Sequence, residues 1–151
     1  MQSKIHIRPA AQSDFENVAA VWHESASQIE AAASNMPSVV DLRARIDHEI
    51  ENGWLLFVAE RSDMVVGMLA LRPNEARLDQ IFVHPSFQGS GIGAELVKEA
   101  KRQMPSGFNL RMAESNKGAA GFYEHLGLKF VKRGRHPVSG NWVCYYQWKI
   151  A

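Results

Sequence analysis

One cysteine, Cys144, stands in a chain of 151 residues. The chain therefore cannot close a disulfide on itself or build a cysteine-based zinc cluster, and nothing in it calls for an oxidising compartment. A cytoplasmic location is the expectation. An excess of charge is also missing: 17 Lys and Arg oppose 16 Asp and Glu, a net charge of +1 with neutral histidines. No global field exists to hold a polyanion or a membrane surface, so neither nucleic acid nor membrane is an expected partner. The longest apolar runs, Trp54 to Ala59 and Met64 to Leu71, fall far short of the roughly 18 residues that span a bilayer. The N-terminal stretch Met1 to Pro9 alternates like a strand and lacks the continuous apolar centre of a signal peptide. Six histidines show no metal-ligand spacing, so no metal is expected.

What is present fits one domain over residues 1–151, long enough to hide about two-thirds of its extended surface around a single core. After the strand at Ile5 and Ile7, Ser13 precedes Glu16 at capping-box spacing, and Phe15, Val18, Ala19 and Trp22 recur with helical period to about Gln28. Ser38 and Asp41 repeat the cap signal ahead of Leu42, Ile46 and Ile50, and Asn52-Gly53 ends that helix. Trp54 to Arg61 and Val65 to Arg72 read as a hairpin, followed by a strand from about Arg77 to Val83. A helix with Ile92, Leu96, Val97, Ala100 and Met104 on one stripe comes next, then a strand at Phe108 to Ala113 and a helix at Asn116 to Leu126 closed by Gly127. Strands at Leu128 to Arg133 and Trp142 to Lys149 complete the chain. This order is a mixed α/β arrangement of the α+β type, one central sheet with helices on its faces.

The segment Gln88-Gly89-Ser90-Gly91-Ile92-Gly93 leads straight into a helix. Glycines there admit backbone conformations closed to other residues and leave no side chain between the amides and a ligand. At a helix start those unpaired N–H groups also sit at the positive end of the dipole, so a phosphate or pyrophosphate is the natural guest. A tight turn selected only for packing is the plainer reading. A Walker loop is excluded, because no Gly-Lys-Ser or Gly-Lys-Thr occurs. Gly89, Gly91 and Ala94 do match G-x-G-x-x-[GA], with Glu114 at the distance of a ribose-binding acid. Against that dinucleotide reading, His84 to Gln88 separate the first glycine from the strand, and too little chain follows for a doubly wound sheet.

The eleven residues Val83-His84-Pro85-Ser86-Phe87-Gln88-Gly89-Ser90-Gly91-Ile92-Gly93 resemble the V-x-P-x-x-[QR]-G-x-G-[IV]-[GA] signature of the GNAT superfamily of acyl-CoA-dependent N-acyltransferases. Asn116 to Leu128 resembles the family's second block. With the element order, the resemblance covers essentially the whole chain. It implies the GNAT fold, with a central, mostly antiparallel sheet flanked by helices, and acetyl-CoA as cosubstrate without a metal. It also implies that Ile81, Phe82 and Val83 run beside the pantetheine arm, and that Gln88, Gly89, Ser90, Gly91, Ile92, Gly93 and Ala94 hold the pyrophosphate. Where many relatives carry arginine, Gln88 brings an amide donor but no charge.

Asn116, Ala119, Ala120 and Tyr123 share one helical stripe, while Phe122 and Leu126 point elsewhere, toward the expected core. By resemblance, Asn116 and Ala119 belong to the cofactor site, and Tyr123 both contacts the cofactor and protonates the departing thiolate. Tyr123 could instead merely pack. The implied reaction is direct attack of a neutral amine on the thioester in a ternary complex, with no enzyme nucleophile. Cys144 sits in an aromatic strand without a helix start to activate it, and reads as a packing residue.

An alkyl amine is mostly protonated at pH 7, so its proton needs an acceptor. Asp79 is the nearest carboxylate on the strand entering the loop, and strict alternation puts it on the face of Arg77, Ile81 and Val83. A salt bridge at the sheet edge weighs equally for Asp79; Glu75 and His84 are poorer candidates for the base. The resemblance assigns acceptor recognition to the first two helices and last two strands. That points to Trp22, His23, Glu24, Glu30 and Met36, and to Arg133, Arg135, His136, Tyr145 and Tyr146, each with a packing or solvated-surface alternative. The reading reached is an N-acetyltransferase acting on an amine-bearing small molecule or peptide, with a homodimer among the assemblies it allows. A non-catalytic acyl-CoA sensor of the same fold and a small dinucleotide-binding protein are its rivals.

Overall fold

The computed structural model describes residues 4–28 and 36–149. Its strands are β1 (His6–Pro9), β2 (Leu55–Arg61), β3 (Met64–Arg72), β4 (Arg77–Val83), β5 (Phe108–Ala113), β6 (Lys129–Arg135) and β7 (Trp142–Trp148). Its helices are α1 (Phe15–Ala26), α2 (Val39–Glu51), α3 (Ile92–Gln103) and α4 (Lys117–His125). The strands form one sheet in the order β1-β2-β3-β4-β5-β7-β6. Every neighbouring pair is antiparallel except β4 and β5, which run parallel and share one paired position, Arg77 with Asn109. Beyond that point the two strands diverge and open a gap in the middle of the sheet.

Two apolar layers cover the two faces. Phe15, Val18, Trp22, Leu42 and Ile46 of α1 and α2 pack on Leu56, Val58, Met68 and Ala70. Ile92, Leu96, Val97 and Ala100 of α3 and Tyr123 of α4 pack on Phe57, Leu69, Leu71, Phe108 and Leu110 of the opposite face. The alternation of β2 and β3 sends successive side chains to both layers, which is why these strands read as continuous apolar runs. The hairpin between them turns at Ser62 and Asp63, both left-handed at φ 53° and 64°, the geometry that matches strand twist in a two-residue turn.

The cap of α2 forms as expected: Asp41 N–H donates to Ser38 Oγ at 3.1 Å and Ser38 N–H to Asp41 Oδ2 at 3.3 Å. The cap expected from Ser13 and Glu16 does not form. A 3-10 turn over Gln12–Asp14 precedes α1 instead, and Asp14 accepts from Ala11 N–H at 2.7 Å and from both guanidinium nitrogens of Arg8 at 2.7 and 3.0 Å. A bidentate charged partner from β1 outcompetes a neutral hydroxyl cap. α1 ends at Ala26 rather than Gln28: Ser27 N–H makes the last i→i−4 bond, to His23 O, and Gln28 N–H turns to Ser25 O at 3.2 Å, while Ser27 Oγ also donates to His23 O. Among the described residues, no helix is long and apolar enough to cross a membrane, and no group of His, Cys, Asp and Glu could hold a metal.

Candidate active site

A cleft of about 770 Å³ opens where β4 ends, between the Gly89–Ala94 turn and the first residues of α4. Ile81, Phe82, Val83, Gln88, Gly89, Gly91, Ile92, Gly93, Ala94, Asn116, Ala119 and Tyr123 all line it, so twelve of the residues singled out in the sequence meet at one place. Gly89 and Gly91 are left-handed at φ +84° and +86°, and a Cβ on either would meet nothing within 4 Å. Their glycines are thus required by backbone conformation, with open space left in front of them. Gly91 caps α3, whose first intrahelical bond runs from Glu95 N–H to Gly91 O. The amides of Ile92, Gly93 and Ala94 consequently have no acceptor within the helix, and all three residues border the cleft.

Gly93 is glycine for another reason. A Cβ there would lie 3.0 Å from Cζ of Phe122, whose ring reaches across from α4. Phe122 therefore borders the cleft and is 37% exposed, not directed into the core as the helical stripe predicted. The close approach of the α3 N-terminus draws it to that side. Ser90 does not line the cleft; its hydroxyl turns back to Phe87 O and closes the turn. The Gln88 amide likewise turns inward and donates to Val83 O at 3.2 Å. That carbonyl also accepts from Ser25 Oγ at 3.0 Å, which ties the end of α1 to the end of β4. Ser25, Gln28, Phe87, Ser115, Gly118 and Phe122 border the cleft without having been predicted. Ser25 carried no signal beyond being a serine on an apolar stripe.

A smaller cavity of about 160 Å³ occupies the gap between β4 and β5, and Ile81, Phe82, Asn116 and Tyr123 belong to its walls as well as to those of the cleft. The two spaces meet at Tyr123. Its ring is buried between those of Phe122 and Tyr146, at centroid distances of 5.3 and 6.4 Å. Burial pushes the phenol up to about 12. Among the described residues, the Tyr123 hydroxyl has no hydrogen-bond partner.

Asp79 lines the smaller cavity only. The strand is bulged here: Leu71 pairs with Leu78 and Ala70 with Gln80, leaving Asp79 as the extra residue. Strict alternation therefore fails. Leu78, Ile81 and Val83 pack on the α3/α4 layer, whereas the Asp79 carboxylate accepts from Trp54 of the α1/α2 layer, its Oδ2 lying 2.7 Å from Trp54 Nε1. Oδ2 also accepts from Arg72 Nε at 3.3 Å, while Oδ1 stands 3.6 Å from Arg77 Nε. Arg72 is held in turn by Glu49 at 2.5 Å, and Arg77 by Glu75 at 3.0 Å.

The expected acceptor residues divide. Trp22 is core, its ring tilted against that of Trp54 at a centroid distance of 5.6 Å, and Met36 packs on the same layer. Glu24 Oε2 lies 2.6 Å from His84 Nε2, and His84 Nδ1 accepts from Ser86 N–H at 3.1 Å. Arg133 pairs with Glu114, and Arg133 and Arg135 both lie over the Trp142 ring. Glu114, the acid required by a dinucleotide pattern, is thereby engaged at the hairpin rather than in the cleft. Tyr145 lies under Lys132, and Tyr146 is buried with its hydroxyl 3.4 Å from Glu124. His23 is half-buried near the end of α1, and Glu30 lies outside the described residues.

Comparison with known proteins agrees with this geometry. The family model described as Acetyltransferase (GNAT) domain matches residues 20–150. The chain is 28% identical over 129 residues to the peptidyl-lysine N-acetyltransferase YjaB of Salmonella typhimurium, covering 85% of this chain and 86% of the relative. Its fold is similar to the solution structure of apo YjaB from Escherichia coli, with TM-score 0.71, 23% identity, and coverage of 98% and 99% of the two chains. It is also similar to the PaiA N-acetyltransferase of Thermoplasma acidophilum in complex with coenzyme A, with TM-score 0.72, 20% identity, and coverage of 94% and 98%. The match of the family model to residues 20–150 shows that the chain belongs to the GNAT family of acyl-CoA-dependent N-acetyltransferases.

Proposed function

We propose that the protein transfers the acetyl group of acetyl-CoA to a primary amine by direct attack within a ternary complex. The observation that carries this reading is the junction at Tyr123, where the large cleft and the β4–β5 cavity share walls. A thioester entering through the cleft and an amine entering through the gap would meet there without an intermediate on the protein. In this reading the free amides of Ile92, Gly93 and Ala94, with the open turn at Gly89 and Gly91, take the pyrophosphate. Ile81, Phe82 and Val83 flank the pantetheine arm, and Asn116 and Ala119 border the thioester.

Attack converts the amine and carbonyl into a tetrahedral intermediate, and collapse breaks the C–S bond. The amine loses one proton and the sulfur gains one, so the reaction balances with no other reactant. A hydroxyl at about 12 would give its proton to a free thiolate of pKa about 8.5 only at a cost of about 5 kcal/mol. Tyr123 therefore serves as a hydrogen-bond donor to the sulfur while its charge develops, with transfer complete only as the amine's own proton is passed on. Asp79 stands on the amine side, and Oδ1, which makes no hydrogen bond, is the oxygen that can accept that proton. Two arginines and three carboxylates make up the group of Arg72, Arg77, Glu49, Glu75 and Asp79, so its formal charge of −1 favours an amine that is becoming cationic.

The peptidyl-lysine activity named for YjaB makes a lysine side chain in a peptide the first acceptor to try. Calorimetric titration with acetyl-CoA, with NAD(H) in parallel, followed by a screen of amines for acetyl-CoA-dependent thiol release, tests the proposal. Saturable acetyl-CoA binding with amine-dependent release is expected. Binding without release across the panel would replace the enzyme by a sensor of acyl-CoA. Asp79→Asn separates two roles: loss of turnover with loss of the acidic limb of the pH–rate profile identifies the proton acceptor, whereas a lower Tm with that limb intact identifies a strut for Arg72 and Trp54.

A further inference from the structure

The last carbonyl of β4 is closed off from the cleft by two side chains. Ser25 Oγ donates to Val83 O at 3.0 Å, and Gln88 Nε2 donates to the same oxygen at 3.2 Å. A carbonyl oxygen has two lone pairs, so these donors fill its accepting capacity. Ser25 is buried, and a buried hydroxyl needs a partner. The residue before it, Glu24, lies with Oε2 2.6 Å from His84 Nε2. Successive residues at the end of α1 thus grip successive residues at the end of β4.

The direction of that carbonyl follows from the strand pairing. His84 N–H donates to Val66 O at 2.8 Å, and Val83 stands opposite Gly67. In an antiparallel pair, alternate residues turn both backbone groups toward the partner strand. Val83 therefore turns its N–H and C=O away from β3, and so does Ile81, two residues back and opposite Leu69. Since β4 pairs with β5 only at Arg77 and Asn109, this polar edge faces the seam, and both residues border the cleft. Among the described residues, the N–H and C=O of Ile81 and the N–H of Val83 have no strand partner on that side. Only Val83 O is capped.

A ligand amide can pair with an open edge of this kind as a strand does. Outward-facing groups recur at every second residue, so the registers open to such a ligand lie about 7 Å apart. With Val83 O filled, a ligand N–H finds its acceptor at Ile81 O instead. Resting on the acetyltransferase reading above, we propose that Ser25 is a positioning residue which, with Gln88, fixes the register of the amide-bearing arm of acyl-CoA along β4. The thioester beyond that arm is then delivered to Tyr123 at one depth. A slip of one register would leave it about 7 Å from that place, and misplacements far smaller than this already cost orders of magnitude in rate.

Ser25→Ala tests this in two ways, the first of which needs no turnover. The backbone carbonyl carbon NMR signals of Ile81 and Val83, read through the amides of Phe82 and His84, are followed during titration with CoA. In the unsubstituted protein CoA should move the Ile81 signal and leave that of Val83 in place. In Ser25→Ala the Val83 signal should shift upfield in the empty protein, the direction of a lost hydrogen bond, and return when CoA is added. The second readout is the split between binding and turnover: kcat should fall by about tenfold or more while the calorimetric Kd for acetyl-CoA stays within about threefold. Gln88→Ala opens the same oxygen from the exposed side, without touching the packing of α1, and should repeat the pattern. A Val83 signal unmoved by Ser25→Ala, a CoA-induced shift at Val83 in the unsubstituted protein, or a loss of binding as large as the loss of kcat overturns the register role. Each of those results leaves acetyl-CoA binding and thiol release by the unsubstituted protein standing, whereas absence of that binding or release overturns the acetyltransferase reading and this inference together.

Discussion

The Phe122 ring occupies the space that a side chain at Gly93 would need, with Cζ 3.0 Å from the position of a Cβ. The contact joins α3 to α4 across the mouth of the cleft, so it sets how far apart the two helix starts that border the cleft stand. Gly93→Ala should push Phe122 aside, and because that ring is partly exposed the loss of stability should stay near 1 kcal/mol. Affinity for acetyl-CoA should fall by more than stability does. The double variant with Phe122→Ala should recover binding relative to Gly93→Ala alone, as calorimetry on the four proteins of the cycle would show.

Gly91 makes the contrasting case, since open space surrounds it and only its backbone conformation is special. Gly91→Ala should destabilise by about 1–2 kcal/mol through left-handed strain. Gly91→Glu adds a carboxylate in front of the helix start and should abolish acetyl-CoA binding at a comparable Tm. Unchanged affinity in Gly91→Glu would remove the pyrophosphate from this turn.

Tyr123→Phe should leave acetyl-CoA affinity nearly intact and lower kcat by roughly a hundredfold or more, the usual scale for losing a positioned proton donor. Burial holds the hydroxyl protonated up to about 12. Any alkaline fall in rate at lower pH must then come from another group, and should persist unchanged in its midpoint in Tyr123→Phe. A pH–rate profile of both proteins checks this.

Asp14 should govern part of the acid stability. The guanidinium of Arg8 holds its carboxyl below the ordinary value of 3.8, against an opposing effect of burial. A folded-state pKa below the unfolded one means that the unfolded chain binds more protons in that window. The stabilisation is full above the unfolded value and is lost as pH falls through the folded one. Asp14→Asn should lower Tm at pH 7 and flatten its decline between about pH 5 and the acid limit, which thermal denaturation across pH would measure.

Much of the fold is legible in the chain because local signals and tertiary needs agree. Ser38 with Asp41, the hairpin of β2 and β3 and the stripe of α3 each point one way and are found so. The glycines at 89, 91 and 93 announce a ligand loop, yet that two answer to backbone conformation and one to a neighbouring ring is visible only in three dimensions. Asp79 shows why a face can be misread: one bulge residue shifts the period by one, and no residue type in β4 marks it. Ser13 and Phe122 were misplaced for a related reason. Their local patterns are sound, but a partner on another element, Arg8 of β1 bound to Asp14 in one case and Gly93 of α3 in the other, offers a better contact.

The single paired position between β4 and β5 also divides the sheet mechanically. Four strands with α1 and α2 stand on one side of the seam and three strands on the other, joined there by one rung of backbone where other junctions have at least four. A ligand lying along that seam would act as the missing rung. The amides of β4 and β5 beyond Arg77 and Asn109 that face the seam, rather than β3 or β7, would then exchange with solvent readily in the empty protein and slow together once the seam is filled, whereas the β2–β3 rungs would stay slow throughout.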